Sequence, residues 1–399
     1  MKLSISLLAI ALTLLYGCFY YIFPATLLEW EATKQWNRAE ITLAFTLAIA
    51  TSALFSPISG HFIDNGKAAI TITSGVLLGG ILLFLLRFNV SLIEFYLIWI
   101  GIGIAMSTCL YEPVFAFIIK YRGDSAKADI TTITLVAGFA STLCFPSVIY
   151  GLTHFDLAYI FSFASVLILG FVPLIYFACQ HIQKHAVNTQ IHTESESITQ
   201  PETPHQILQQ PAFWLLAGSF SLLGLVHAVI ISHLLPILSE RDLALDDAVL
   251  IVSLIGPMQV LGRIISIFMG KRFNLTSLTL ICFIGLCLAL LTLMIAGKNL
   301  SLLTLFVFFQ GASYGVVSIM KPLVIKHFMG KRSMGVISGM IALPYLLCSA
   351  LAPYLGSIIW QKSGYSTLLL LLVLISAVGL INFALLISKQ VQKEPLTSP

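Results

Sequence analysis

Charged residues are scarce in this chain. Asp, Glu, Lys and Arg together make up only 10% of the 399 residues, whereas hydrophobic residues make up 58% and the mean hydropathy is +0.97. This composition excludes a water-soluble globular domain, because soluble domains average about 25% charged residues. The sequence therefore indicates a polytopic membrane protein that has the lipid bilayer as its surroundings.

Motifs of enzymes and metal proteins are missing as well. The chain has no glycine-rich phosphate loop and no His-Glu-x-x-His, which argues against an ATP-driven pump and a zinc protease. Its seven cysteines form no Cys-x-x-Cys pair, and their places in or near apolar segments indicate packing, with neither disulfides nor metal ligands. We expect no enzyme activity, no metal and no cofactor, and the net charge of +4 requires no nucleic-acid partner.

Twelve apolar stretches account for most of the length, since a membrane-spanning helix needs about 20 apolar residues. A polar run of Gln, Thr, Ser, Glu, His and Pro separates them into two sets of six. The predicted spans are 3–28, 39–63, 68–88, 93–119, 130–152, 157–178, 211–237, 248–269, 276–296, 300–325, 333–360 and 366–388. The predicted class is an all-α membrane protein with an N-terminal bundle at 1–180, a cytoplasmic linker at 181–210, a second bundle at 211–388 and a cytoplasmic tail at 389–399.

The Lys and Arg residues predict the orientation, because cytoplasmic loops carry an excess of both. With both termini in the cytoplasm, thirteen of the 21 lie on that side, six lie outside, and two, Arg263 and Lys321, lie within helices. The first span begins with Lys2 as a signal peptide would, but it is too long and lacks a small-x-small cleavage site. We keep it as a helix and expect cytoplasmic termini.

Two charged residues stand directly before prolines in apolar spans. Glu112 precedes Pro113, and Lys321 precedes Pro322. A charge at membrane depth costs about 3 kcal/mol or more, so it is seldom retained without a role. Each proline is predicted to bend its helix and free the carbonyl four residues earlier. The two positions are equivalent if the halves are repeats, which is the architecture of transporters that bind substrate between repeats.

Four segments of the chain resemble one family. They are 36–64, which ends in Pro-Ile-Ser-Gly-His-Phe-Ile-Asp, Tyr-Glu-Pro at 111–113, 134–142, and Gly-Pro-Met-Gln-Val-Leu-Gly-Arg at 256–263. Together they resemble the major facilitator superfamily, and more narrowly its bacterial branch near the monocarboxylate porters and oxalate/formate antiporters. The resemblance implies two pseudo-symmetric six-helix bundles. It also implies a pathway lined by helices one, four, seven and ten, with the two charges before prolines facing each other across it.

The sequence departs from the superfamily pattern at two places. Gly60 and Asp64 match the Gly-x-x-x-Asp of the loop after the second helix, which the resemblance assigns to gating, but Asn65 replaces the arginine that comes next. On the eighth helix, Gln259 stands where the monocarboxylate porters have an aspartate, four residues before Arg263. We therefore expect a weaker switch in the loop and no proton carrier at position 259.

Five further polar side chains are candidates for a substrate or coupling site. They are Arg263, Gln259, His233, Tyr16 and Tyr20. Arg263 stays charged in any environment and its planar fork suits a carboxylate, although its stem could instead reach the cytoplasmic interface. Gln259 shares its helix face, and His233 could titrate near neutral pH. Tyr16 and Tyr20 also share one helix face. There they either contact the substrate or only pack between helices.

These patterns predict a secondary transporter that moves a small organic anion, a mono- or dicarboxylate, across a bacterial inner membrane, proton-linked or by exchange. Arg263 and Lys321 would supply positive charge and Glu112 the proton coupling; the alternative is a static pair of Glu112 and Lys321 that binds nothing. Two other functions stay open: transport of a larger amphipathic metabolite, such as a siderophore or drug-like compound, and a transporter-like membrane sensor. We expect a small-molecule substrate and a functional monomer.

Overall fold

The computed structural model describes residues 1–190, 204–330 and 333–391, and its regular structure in these ranges is helical throughout. Helix continues past residue 181, where the linker is predicted to begin, as far as Gln190. The stretches 191–203 and 392–399, which hold much of the predicted linker and tail, lie outside the described residues.

Helices in the first half of the chain are joined by short connections. They are α1 (Lys2–Tyr16), a π-helical turn (Gly17–Tyr21), α2 (Ile22–Lys34), α3 (Arg38–Asp64), α4 (Ala68–Leu85), α5 (Leu92–Cys109), α6 (Tyr111–Arg122), a 3₁₀ turn (Gly123–Ser125), α7 (Ala126–Ala137), α8 (Ala140–His154) and α9 (Leu157–Gln190). The remaining helices are α10 (Pro204–Leu208), α11 (Pro211–Glu240), α12 (Leu245–Met269), α13 (Leu275–Ala296), α14 (Leu300–Met329) and α15 (Met334–Val391).

Local sequence sets where several of these helices begin. Asn37 and Ser91 precede α3 and α5, and each side chain accepts a hydrogen bond from the backbone of a glutamate three residues later, whose carboxylate bonds back. These reciprocal capping boxes satisfy backbone donors that the first helical turn leaves without partners.

Ten helical stretches of the described chain are long and apolar enough to cross a membrane. Two of them are much longer than the rest, Leu92–His154 with 63 residues and Met334–Lys389 with 56. A single crossing takes about 20 residues. The second long stretch is bent at Gly364, where φ is 76° and ψ is 172°, a left-handed conformation that favours glycine.

The chain divides into two compact units. The first consists of Met1–Pro204 with Gly330–Leu343, and the second of His205–Met329 with Pro344–Pro399. Helix α15 contributes to both, because its first turns pack with the first unit and the rest with the second.

Helix interruptions fall beside the candidate residues of the first unit. A π-helical turn occupies Gly17–Tyr21 directly after Tyr16, and such turns often occur at functional sites. Leu110 is extended, with φ −88° and ψ −160°, so that α5 ends before it and α6 begins after it. This break lies three residues before Pro113, whereas α14 runs continuously through Pro322.

Glycines bring neighbouring helices into backbone contact in both units. In the second unit, a Cβ on Gly262 would lie 2.3 Å from Ala312 O, and one on Gly315 would lie 2.3 Å from Gln259 O. In the first unit, a Cβ on Gly103 of α5 would lie 2.3 Å from a backbone oxygen of α3. Small residues allow this close packing, which drives helix association in a bilayer.

The Gly262 contact makes a prediction about stability. Because a Cβ would overlap the α14 backbone, Gly262→Ala is expected to lower the free energy of unfolding by about 1–3 kcal/mol. Gly256→Ala on the same helix is the control, since its Cβ would meet no atom within 4 Å. Thermal unfolding of the purified variants in detergent measures both, and equal melting temperatures would show that α12 and α14 do not touch at Gly262.

Candidate functional site

Two full charges are buried within the described part of the chain, and both are cations. Arg263 on α12 is 6% exposed and Lys321 on α14 is 8% exposed, while no carboxylate side chain there is buried. Both cations belong to the second unit, and their helices are the pair joined by the glycine contacts. Burying a cation is costly, so the groups around each one decide what the site can bind.

Lys321 lies against an aromatic ring. Its Nζ is 3.9 Å from the centroid of Tyr345 on α15, which is within the range of a cation–π interaction. Gly224 of α11 lies beneath the same ring, since a Cβ there would come within 2.6 Å of Tyr345. The missing side chain therefore allows the tyrosine to lie flat between α11 and α14.

A chain of polar contacts continues from this ring. Tyr345 and Tyr314 share a hydrogen bond between their hydroxyls at 2.8 Å. The Tyr314 ring stacks on His227 with 3.3 Å between centroids, and Gln310 Nε2 donates to His227 Nδ1 at 3.2 Å. Gln310, His227, Tyr314, Tyr345 and Lys321 form one connected group, which we call the Lys321 cluster.

Arg263 is fixed at the middle of α14. Its Nε donates to Gly315 O at 3.2 Å, and the same carbonyl accepts the Ser318 hydroxyl at 2.7 Å. A side chain that extended to the membrane interface would not reach a carbonyl halfway along a 30-residue helix. Gln259 is half-buried and its backbone packs against Gly315, so the two candidates of α12 meet the same turn of α14.

The candidates of the first unit form a tyrosine group around Glu112. Glu112 is half-buried in the first turn of α6. The neighbouring Tyr111 ring lies 4.4 Å from Tyr16, and Tyr16 lies 6.3 Å from Tyr20. Tyr20 also packs edge-to-face on Phe45 at 5.1 Å. The structure therefore places Tyr16 next to the turn that carries Glu112, while Tyr20 lies one step further along.

Asp64, the last residue of α3, holds the start of another helix. Its two carboxylate oxygens accept the N–H groups of Gly335 and Val336, both at 2.8 Å, in the first turn of α15. A carboxylate at a helix N-terminus is favourable because free N–H groups and the helix dipole meet it there. Gly60 allows the approach, since a Cβ on it would lie 1.9 Å from Gly335 O. Lys120 completes the arrangement by donating to the carbonyls of Ile63 and Asp64.

His233 makes its hydrogen bonds with residues outside the Lys321 cluster. Its Nε2 donates to Pro353 O at 3.0 Å, and its Nδ1 lies 3.3 Å from the Tyr365 hydroxyl. It lines an open cavity at the end of α11. Both ring nitrogens thus have partners within the second unit.

A serine-hydrolase pattern in the sequence has no corresponding geometry. Gly311 to Gly315 match Gly-x-Ser-x-Gly, a motif that activates its serine on a sharp turn between a strand and a helix. Here Ser313 lies inside the continuous helix α14 and is buried. It faces Gly285 of α13, where a Cβ would lie 2.2 Å from its hydroxyl, so it is a packing residue.

Sequence reasoning misses most of the Lys321 cluster. Tyr314 precedes Lys321 by seven residues, which places both on one helix face, so spacing could have identified it. The histidine of α11 that the sequence suggests is His233, whereas His227 is the one that joins the cluster. Tyr345 gives no local signal, because it meets Lys321 only through the packing of α15 on α14.

The comparisons with known proteins agree with this architecture. The family model of the Major Facilitator Superfamily matches residues 8–343, and the chain therefore belongs to that superfamily. A solved structure described as a Major Facilitator Superfamily transporter, FucP, in the outward conformation has a similar fold, with a TM-score of 0.64 over 96% of this chain and 98% of that chain. The two are 14% identical, so this likeness shows the fold alone. No curated protein matches the chain.

Membership fixes the class of protein. The chain is a multi-pass membrane protein and a secondary transporter that works by alternating access, and its family consists of transporters rather than enzymes. The predicted superfamily is thus confirmed. The substrate and the coupling ion depend on particular residues of this chain.

Mutation of Asp64 tests its contact with the first turn of α15. Asp64→Ala removes both acceptors at the start of α15, and loss of such a cap costs about 1 kcal/mol. The amides of Gly335 and Val336 are expected to exchange with deuterium about fivefold faster. Asp156→Ala is the control, because Asp156 caps α9 by accepting from Tyr159 N at 2.8 Å. Unchanged exchange at both amides in Asp64→Ala would contradict the capping contact.

Proposed function

We propose that the protein transports a small organic anion, a mono- or dicarboxylate, and that the anion binds at Lys321. One observation carries this proposal: the charges buried in the described chain, Arg263 and Lys321, are both positive. An anion that enters the second unit meets cations and no buried carboxylate of the described residues. The resemblance to the branch of the monocarboxylate porters and oxalate/formate antiporters points in the same direction.

The Lys321 cluster suits a carboxylate. A hydrogen bond from the ammonium to a substrate carboxylate is worth about 1.5–3 kcal/mol, and it is stronger in apolar surroundings than in water. Either of the linked hydroxyls of Tyr314 and Tyr345 can be the donor in their shared bond, so the other one can turn its proton toward a ligand oxygen. We propose Lys321 as the charge that binds the substrate and the two tyrosines as the groups that orient it.

Arg263 and Gln259 are proposed as a second anchor. Arg263 lies at the level of Gly315 on α14, six residues before Lys321, which corresponds to about 1.7 turns and about 9 Å along the helix. A guanidinium can bind a carboxylate through two parallel hydrogen bonds. Two cations at this separation favour a dicarboxylate when both are used, and a monocarboxylate when Lys321 acts alone.

Glu112 is proposed as the proton carrier. It stands at a helix start within a membrane span, where a carboxyl group can take up or release a proton as its surroundings change. Tyr111 is its neighbour in the chain, and Tyr16 packs against the Tyr111 ring. Proton-linked transport would use this step, whereas pure exchange would not.

The membrane topology is part of the proposal. The two long helical stretches, Leu92–His154 and Met334–Lys389, each cross the bilayer twice, which gives twelve crossings. Both termini face the cytoplasm because of the Lys and Arg distribution. We place the protein in a bacterial inner membrane, as a monomer of two six-helix bundles at 1–180 and 211–388.

Uptake by membrane vesicles tests the substrate class. Wild-type vesicles are expected to accumulate a labelled mono- or dicarboxylate from a panel, and Lys321→Gln to weaken apparent affinity about tenfold to a hundredfold, because one charged hydrogen bond is lost. Lys298→Gln is the control, since that lysine is exposed at 60% and pairs with Asp242 in a 3.6 Å contact. Uptake of amphipathic neutral compounds, with none for any carboxylate, would replace this proposal by the alternative transport function.

Coupling is tested at Glu112. Glu112→Gln keeps the size of the side chain but cannot release a proton, so accumulation driven by a pH gradient is expected to stop while substrate exchange continues. Counterflow and gradient-driven uptake, measured on the same vesicles, separate the two activities. If both persist at wild-type rates, the proton does not travel by Glu112.

A further inference from the structure

The second unit contains a cavity that the proposed anion site does not use. It has a volume of about 590 Å³, which is within the range of small-molecule sites. The last turns of α11 and the middle of α15 form its walls. Its lining residues are Ser232, His233, Pro236, Ser239, Glu240, Pro353, Ser357, Trp360 and Tyr365. None of them belongs to the Lys321 cluster, so the chemistry of this cavity is independent of the proposed substrate.

Two prolines and a glycine shape this cavity. Pro236 lies within α11 and Pro353 within α15, and each leaves the carbonyl four residues earlier without its helical donor. The freed carbonyl of α11 is that of Ser232, itself a lining residue. Gly356 makes room for the imidazole, since a Cβ there would lie 2.7 Å from His233 Nε2.

The ring and indole donors of the cavity bond to the protein itself. His233 Nε2 donates to Pro353 O at 3.0 Å, and its Nδ1 lies 3.3 Å from the Tyr365 hydroxyl. Trp360 Nε1 donates to Glu240 Oε2 at 3.0 Å. These bonds occupy the imidazole N–H at Nε2 and the indole N–H, so neither of these donors is available to a ligand.

Two of the three lining serine hydroxyls show the same pattern. Ser232 Oγ donates to Ala228 O at 2.7 Å, and Ser357 Oγ donates to Pro353 O at 3.0 Å. The cavity offers acceptors instead: the second carboxylate oxygen of Glu240 and the freed carbonyl of Ser232. A ligand that fits this lining is a hydrogen-bond donor with a positive charge.

Aromatic faces complete the recognition. Trp360 and Tyr365 stack with 5.5 Å between centroids and an angle of 24°, and Trp360 keeps 38% of its surface exposed. A carboxylate beside an exposed indole is the arrangement that binds alkylammonium groups, through charge and cation–π attraction together. The neighbouring Arg241 leaves Glu240 to a ligand, because its Nη1 donates to Leu293 O at 2.8 Å on α13.

We propose that this cavity is a second binding site, specific for an organic ammonium group. Glu240 is the last residue of the apolar stretch Pro211–Glu240, which places the cavity at one membrane surface. Tryptophan is common at that level. The ammonium group can therefore come from a free amine in solution or from the headgroup of an amine-bearing phospholipid, and the experiment distinguishes these two sources.

Binding is measured by calorimetry on the full-length purified protein with choline and ethanolamine as probes, first in lipid-free detergent. Saturable binding is expected, and Glu240→Gln and Trp360→Leu are each expected to weaken it about tenfold. Asp242→Asn is the matched control, because Asp242 is an exposed acid two residues further on that pairs with Lys298. Size-exclusion chromatography identifies any variant that fails to fold. If one of the two variants does not fold, weaker binding by the other is enough to test the proposal.

The second arm uses nanodiscs of phosphatidylethanolamine or of phosphatidylglycerol, with bound lipid counted by native mass spectrometry. Retention of the ethanolamine lipid by the wild type, and its loss in Glu240→Gln, would identify the headgroup as the ligand. Binding of the free probes alone would identify a soluble amine. If neither probe nor lipid binds, or if Glu240→Gln and Trp360→Leu bind as Asp242→Asn does, the cavity is not an ammonium site.

Discussion

Two cations are kept inside an apolar helix pair, and the proposed transport of an anion depends on how they are held there. Glycines at 262 and 315 bring α12 and α14 into backbone contact, and this contact places Gly315 O within reach of Arg263. Lys321, further along α14, lies on the Tyr345 ring. A carbonyl dipole and an aromatic face each offset part of the cost of burying a charge. Under the proposal, these two charges attract the substrate anion to the second unit.

Close backbone packing at glycine also occurs in the first unit. Gly60 and Gly335 allow α3 to touch the start of α15, where Asp64 accepts two N–H groups. These bonds are made by a single side chain at the end of a helix, so they can be broken and remade without unfolding any helix. A transporter that alternates between states needs such contacts, since an extensive apolar contact would be too costly to open in each cycle.

The helical membrane class could be predicted from the sequence, because apolar length is a property of each segment alone. The sequence also predicts a bend at both proline sites, but the helix breaks only near Pro113, at Leu110, and stays continuous at Pro322. A proline determines which backbone hydrogen bond is lost, whereas packing determines whether the helix then breaks. The π-helical turn before Ile22 and the Tyr345 contact depend on neighbouring helices, so no local pattern could reveal them. Tyr314 could have been identified from the sequence, since its spacing from Lys321 matches the helical period.

The most direct test of anion binding at Lys321 is thermal unfolding of the purified protein with a series of carboxylates at constant ionic strength. A ligand that binds only the folded state stabilises it by about 2.7 kcal/mol at a hundred times its Kd. We expect saturable stabilisation by at least one mono- or dicarboxylate, and loss of that effect in Lys321→Gln. Equal stabilisation of Lys321→Gln and the wild type, or none by any carboxylate, would contradict the proposed site.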